Sequence, residues 1–255
     1  TGADVLFMES TYGGRFHPEE KEAIPLIEKL VNETISRGGS LFIPSFSVER
    51  AQLMMLIFWR LLKKNKIPKV PMIMDSPMGA NVLELFHRTR DWHRLEDDEC
   101  DEMCSHFTVV SGYHETMELR SDDNPKIVIA GSGMLTGGRM LNYLETQAQN
   151  PDNTLLFVGY QAEGTRGRKL LEGEKELKVY GKTVSFKMQV AEIEGLSAHA
   201  DHAELMDWMS KIKNKPERIF IVHGEKEGAE ALQKGIKDTY GWDAEIPQLY
   251  SIENV

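Results

Sequence analysis

Short apolar runs alternate with amphipathic stretches along this chain, each run stopping at a polar or glycine-rich turn, and this alternation constrains the fold most. Asp4-Val5-Leu6-Phe7-Met8 stops at Glu9 and the turn-like Ser10-Thr11-Tyr12-Gly13-Gly14. Ala23, Ile24, Ile27, Leu30, Val31 and Ile35 then follow helical spacing between Pro18 and about Arg37, and Gly38-Gly39 ends the helix. The order repeats. Strands are predicted at Ser40 to Ile43, Val70 to Met74, Lys126 to Ala130 and Thr154 to Val158, with helices at Val48 to Lys64, Ala80 to about Arg90 and about Arg139 to Gln149. The pattern predicts an α/β fold with a mainly parallel sheet covered on both faces, right-handed connections, and ligands at the carboxyl ends of the strands. Further on, Leu177 to Val190 reads as β-hairpin around Tyr180-Gly181-Lys182, Ala203 to Ile212 as helix, Arg218 to Val222 as strand, and Glu227 to Tyr240 as amphipathic helix. The charged stretch 91–124 reads as mixed helix and loop.

With 255 residues and 41% hydrophobic content, the chain can bury a real core in one large or two modest domains. No apolar run reaches the ~18 residues of a membrane span, and Thr1-Gly2-Ala3-Asp4 lacks the basic and apolar regions of a signal peptide, so a soluble cytoplasmic protein is expected. A net charge of −10 excludes a general cationic coat for nucleic acid but leaves room for a local basic groove. Cys100 and Cys104 are too few for a disulfide framework and lack the second pair of a structural zinc site; they read as two reduced thiols on one helical face.

The glycine-rich loop Gly131 to Gly138 lies between a strand and a helix, where backbone N–H groups favour phosphate. Contact of Ser132 and Gly133 with a phosphate backbone competes there with simple close packing. Dinucleotide binding is disfavoured, because the next strand ends in Gly159-Tyr160-Gln161 without an acidic residue for the ribose, and no Gly-Lys-Ser/Thr marks a P-loop. Arg139, Arg166, Arg168 and Lys169 bracket two loops and form either a basic groove or ordinary solvated charge. Ser197-Ala198-His199-Ala200-Asp201-His202 would be a zinc motif of His-x-His-x-Asp-His type if Ser197 were histidine; Asp201 and His202 read equally well as the start of a helix. A rigid strand delivers His223 to a sheet edge. His17, His87, His93, His106 and His114 show no ligand spacing and read as solvated or packed.

Taken in order, Glu9 to Gly13, Ile43-Pro44-Ser45-Phe46-Ser47-Val48-Glu49-Arg50-Ala51-Gln52, Asp75-Ser76-Pro77-Met78, Gly131-Ser132-Gly133-Met134, Ser197-Ala198-His199-Ala200-Asp201 and Val222-His223-Gly224-Glu225 resemble the RNA-processing β-CASP branch of the metallo-β-lactamase fold. The bacterial relatives of the cleavage-and-polyadenylation endonuclease subunit are nearest in pattern. The resemblance implies a Rossmann-like β-CASP domain over 15–194, inserted between a strand and acidic-motif loop at 1–14 and a closing lactamase segment at 195–255. It implies a zinc-dependent phosphodiesterase acting on RNA, with Glu9 orienting His199, His199 meeting the scissile phosphate and His223 ligating metal. Ser132, Gly133, Arg139, Arg166 and Ser197 are the expected substrate contacts.

The family's His-x-His-x-Asp-His motif, its next histidine ligand and its bridging aspartate belong ahead of Glu9. The chain is therefore expected to be the C-terminal portion of a larger enzyme that holds two zinc ions. Its expected partners are RNA and the missing N-terminal lactamase portion, with no membrane; a homo-oligomer is compatible with this reading. By itself the chain is expected to be inactive and to bind zinc weakly. The competing reading is an RNA- or nucleotide-binding module that acts without metal, against which the presence of both Glu9 and His199 weighs; a Rossmann oxidoreductase stands third.

Overall fold

The computed structural model describes residues 2–253, which fall into two compact units, 20–196 and the pair of segments 2–19 and 197–253. In the first, six parallel strands run in the order Thr108–Val110, Met72–Asp75, Ile127–Ala130, Leu41–Pro44, Thr154–Val158, Gln189–Ile193. The four central strands are buried at every position, which is why they read as continuous apolar runs rather than alternating ones. Successive side chains still point to opposite faces. Leu41, Ile43, Met72, Met74, Ile127 and Ile129 join the core under the helices Glu20–Ser36 and Arg50–Lys63, while Phe42, Ile73, Val128, Leu155 and Phe157 join a second core under the helix Met140–Gln147 and the hairpin. The α/β fold with a mainly parallel sheet is thus present.

Two details depart from the sequence reading. Thr108–Val110 is an edge strand inside the stretch taken as helix and loop; three residues long and exposed at two, it carries too little periodicity to be read. The hairpin comprises only Glu176–Val179 and Lys182–Ser185, whereas Gln189–Ile193 crosses to the main sheet and pairs in parallel with Thr154–Val158.

In the second unit Val5–Glu9 pairs in parallel with Arg218–Val222, with Leu6, Met8, Ile219 and Ile221 packed against the helices His202–Ser210 and Lys226–Tyr240. The N-terminal segment belongs to this unit as far as Glu19, beyond the expected break at Gly14, because its loop is bonded to the 199–202 segment. His202 N–H donates to the Arg15 carbonyl, and His17 N–H to Asp201 Oδ2 at 2.9 Å. Among the described residues no helix is long and apolar enough to cross a membrane.

Candidate functional site

Parallel pairing sets Glu9 opposite Val222, so the strand ends deliver Glu9 and His223 side by side. His223 sits at φ 52°, a left-handed conformation that histidine tolerates better than most residues. Its neighbour must be small: a Cβ on Gly224 would lie 2.2 Å from Ser10 Oγ and 2.5 Å from the Ser10 carbonyl oxygen. The Ser10 hydroxyl donates to the Val222 carbonyl at 3.0 Å and closes the turn against the second strand.

His199 arrives from the other side of the site, on the loop before the helix His202–Ser210. Asp201 caps that helix by accepting from Glu204 N–H while the Glu204 carboxylate accepts from Asp201 N–H, each at 2.9 Å, so its helix-start role is realised. The His17 ring nitrogen meets the His199 carbonyl at 2.9 Å, and the Ser197 hydroxyl accepts from His199 N–H at 3.2 Å. These contacts hold the loop so that His199 Nδ1 lies 3.1 Å from Glu9 Oε1. The His199 and His223 rings stack with centroids 5.2 Å apart. One donor atom from each of Glu9, His199 and His223 lies within 4.8 Å of the others.

Sequence reasoning assigned no role to Thr11, yet its hydroxyl lies 3.4 Å from His199 Nδ1 and 3.3 Å from His223 Nδ1, and donates to the His223 carbonyl at 3.0 Å. Nothing in a lone threonine after an acidic residue signals this; it follows from the register of two strands far apart in sequence. Glu9 is fixed at both oxygens, accepting from Thr11 N–H at 3.0 Å and Ala200 N–H at 3.1 Å. Partial burial pushes the Glu9 carboxyl up, but hydrogen bonds from Thr11 and the His199 imidazole outweigh it and hold the group below its ordinary value of 4.5. Glu9 therefore stabilises the fold in full above that value and loses its contribution as pH falls through the lower folded-state value. The expected outcome is a shallower acid limb of unfolding free energy against pH in Glu9→Gln than in the wild type, and identical limbs would exclude the linkage.

Beside this cluster a groove of about 920 Å³ is lined by Phe7, Glu9, Ser197, His199 and Trp208. In the larger unit a groove of about 730 Å³ opens at the carboxyl ends of three central strands, between Ser45, Asp75, Ser76, Ser132 and Arg139. The Asp75 carboxyl at its floor is pushed up by burial, against hydrogen bonds from Thr116 and Tyr143. The Ser132 hydroxyl accepts from Thr136 and Gly137 N–H and so organises its own loop. Gly133 packs closely, since a Cβ there would lie 2.9 Å from the Phe46 ring. Arg139 donates to the Ser111 and Gly112 carbonyls and to the Thr116 hydroxyl; Arg166 donates to the carbonyls of Lys178, Leu135 and Thr136. These hydrogen-bond partners are neutral, and the Arg139 charge also acts on the Asp75 carboxyl, partly offsetting the effect of burial.

A Beta-Casp domain model matches residues 51–170, and a Zn-dependent metallo-hydrolase RNA specificity domain model matches residues 183–247. This chain belongs to the β-CASP family. A ribonuclease of Thermus thermophilus is 33% identical over 244 residues, covering 91% of this chain and 54% of that protein. The transcription termination factor FttA of Methanothermobacter thermautotrophicus is 34% identical over 260 residues (96% of this chain, 40% of the factor), and that of Methanocaldococcus jannaschii is 36% identical over 239 residues (88% and 37%). The chain thus spans about half or less of the length of these relatives. Zinc is named at the level of the family, and the Glu9, His199 and His223 set offers imidazole and carboxylate donors of the kind that zinc takes.

Proposed function

We propose that the chain is the β-CASP and C-terminal portion of a cytoplasmic zinc-dependent ribonuclease that hydrolyses RNA phosphodiester bonds. The observation that supports this best is the Glu9–His199 pair, 3.1 Å apart and adjacent to His223 at the ends of neighbouring parallel strands. In this reading His223 holds metal, together with ligands from a lactamase portion outside this chain, and the isolated chain is inactive. Zinc bound there, two ions in the complete enzyme, supplies Lewis acidity at the phosphate.

The chain's own residues do the positioning and hold the proton. Glu9, gripped by two backbone N–H groups, takes the Nδ1 side of His199 and fixes its tautomer, leaving Nε2 to hold or give a proton at the leaving oxygen. Thr11 keeps the two imidazoles stacked. Ser132, Gly133, Arg139, Arg166 and Ser197 are proposed to contact the substrate; Ser197 acts through the His199 loop, and the arginines act through their positive charge.

The deciding experiment is cleavage of end-labelled RNA by the full-length protein and its His223→Ala variant, with chelation and zinc add-back. Cleavage abolished by chelation, restored by zinc, and lost in the variant despite added zinc is the expected result. Unimpaired cleavage by His223→Ala would overturn the assignment, and RNA binding without any cleavage would favour the metal-independent binding module. For the RNA path, Arg139→Ala and Arg166→Ala are each expected to lower the log–log salt slope of RNA binding by roughly one, with little change between RNA sequences. Unchanged slopes would move the path elsewhere.

A further inference from the structure

In the sequence His87 shows no ligand spacing and reads as solvated or packed, and Cys100 and Cys104 read as two reduced thiols on one helical face. The fold brings them together. Cys100 and Cys104 lie one turn apart on the helix Asp97–Ser105, and His87 lies in the last turn of the helix Pro77–Arg88. One donor atom from each of the three lies within 4.8 Å of the others. His87 Nδ1 is 3.8 Å from Cys100 Sγ and 2.9 Å from Asp101 Oδ1. Tetrahedral zinc, with bonds of about 2.3 Å to sulfur and 2.0 Å to imidazole nitrogen, sets such donors about 3.5 Å apart. The pair His87 Nδ1 and Cys100 Sγ is within a few tenths of an ångström of that spacing, and no two of the three donors lie more than 4.8 Å apart.

We propose that His87, Cys100 and Cys104, with Asp101 beside His87 as a supporting carboxylate, form a zinc-binding site that staples the helices Pro77–Arg88 and Asp97–Ser105 across the turn Arg90–Trp92. Charge supports it as well as geometry. Two thiolates balance a divalent ion, and Arg90 Nη2, 3.3 Å from both Asp101 oxygens, holds that carboxylate beside His87. Cys100 is buried, Cys104 is partly buried, and neither is in a disulfide. A staple has a local purpose here. The segment joins two helices through a short three-residue turn with exposed Trp92, and Leu83 and Met103 are its buried anchors in the core. A bound ion would add a direct link between the two helices. The site lies wholly within residues 20–196 and is separate in composition from the Glu9, His199 and His223 set.

The sequence supplies a clean readout, because Cys100 and Cys104 are its only cysteines. Cobalt(II) added to the reduced chain under anaerobic conditions is expected to give thiolate-to-metal charge-transfer absorption with intense tetrahedral visible bands, both displaced by one equivalent of zinc. His223→Ala should leave these bands intact. Cys104→Ser, and separately His87→Ala, should remove or strongly weaken them, and Asp101→Asn should weaken zinc affinity about 10–100-fold if the carboxylate supports the ion. Zinc should raise the melting temperature of the wild type but not of Cys104→Ser. Far-ultraviolet circular dichroism checks that each variant is folded. Should Cys104→Ser fail to fold, the absorption of the wild-type cobalt complex alone decides. Absence of sulfur charge transfer in the reduced wild type, or its persistence in folded His87→Ala at undiminished affinity, would overturn the site.

Discussion

His199→Ala in the full-length protein is expected to lower the proposed RNA-cleaving turnover on the order of 10²-fold or more, with RNA affinity little changed. The reason is geometric: the imidazole is held by Glu9 at one nitrogen and by loop contacts at its backbone, an arrangement suited to a group acting in the transition state rather than one tracking the strand. Single-turnover cleavage and equilibrium binding to uncleaved RNA, measured on the same variant, separate the two effects. Equal turnover in the variant would remove His199 from the proposed mechanism, and an equal loss in binding and turnover would make it a substrate anchor instead.

Phe157→Ala should be the most destabilising of the simple core truncations, by about 3–5 kcal/mol. Phe157 lies on a central strand, fully buried in the core shared with Phe42, Leu155 and Tyr143, and parallel strands on both sides prevent the backbone from collapsing into the space left. For a unit of this size the loss corresponds to a fall in melting temperature of roughly 6–20 °C. Thermal and denaturant unfolding of wild type and variant measure it, and a change below about 1 kcal/mol would mean that the site relaxes far more than a close-packed interior should.

The sheet was legible because its central strands are buried on both faces and so appear as uninterrupted apolar runs bounded by turns. Short edge strands were not: Thr108–Val110 and Gln189–Ile193 are held by pairing to a neighbour, a property of the partner more than of their own residues. In the candidate site, Glu9, His199 and His223 could be picked out through ordered motifs, and the structure brings them together. Thr11 and His17 could not, since each acts by reaching a residue more than 180 positions away, at His199 and His223 in one case and at His199 and Asp201 in the other. His87 was hidden for a related reason, the chain having to turn through a short helix before Cys100 comes level with it.

The pairing of Val5–Glu9 with Arg218–Val222 also fixes an order in time. Thr11 and His223 are 212 positions apart, and everything between them must be synthesised before the second strand exists to be paired. At roughly 5–20 residues per second a ribosome takes on the order of 10–40 s to cover that distance. Throughout the interval Glu9 lacks His223, and for most of it His199 as well, while the six-stranded unit, encoded in between, is free to fold. A nascent chain, or one truncated before the strand Arg218–Val222, thus carries Glu9 without His223, and the cluster proposed to cut RNA comes into being only after that strand has been made.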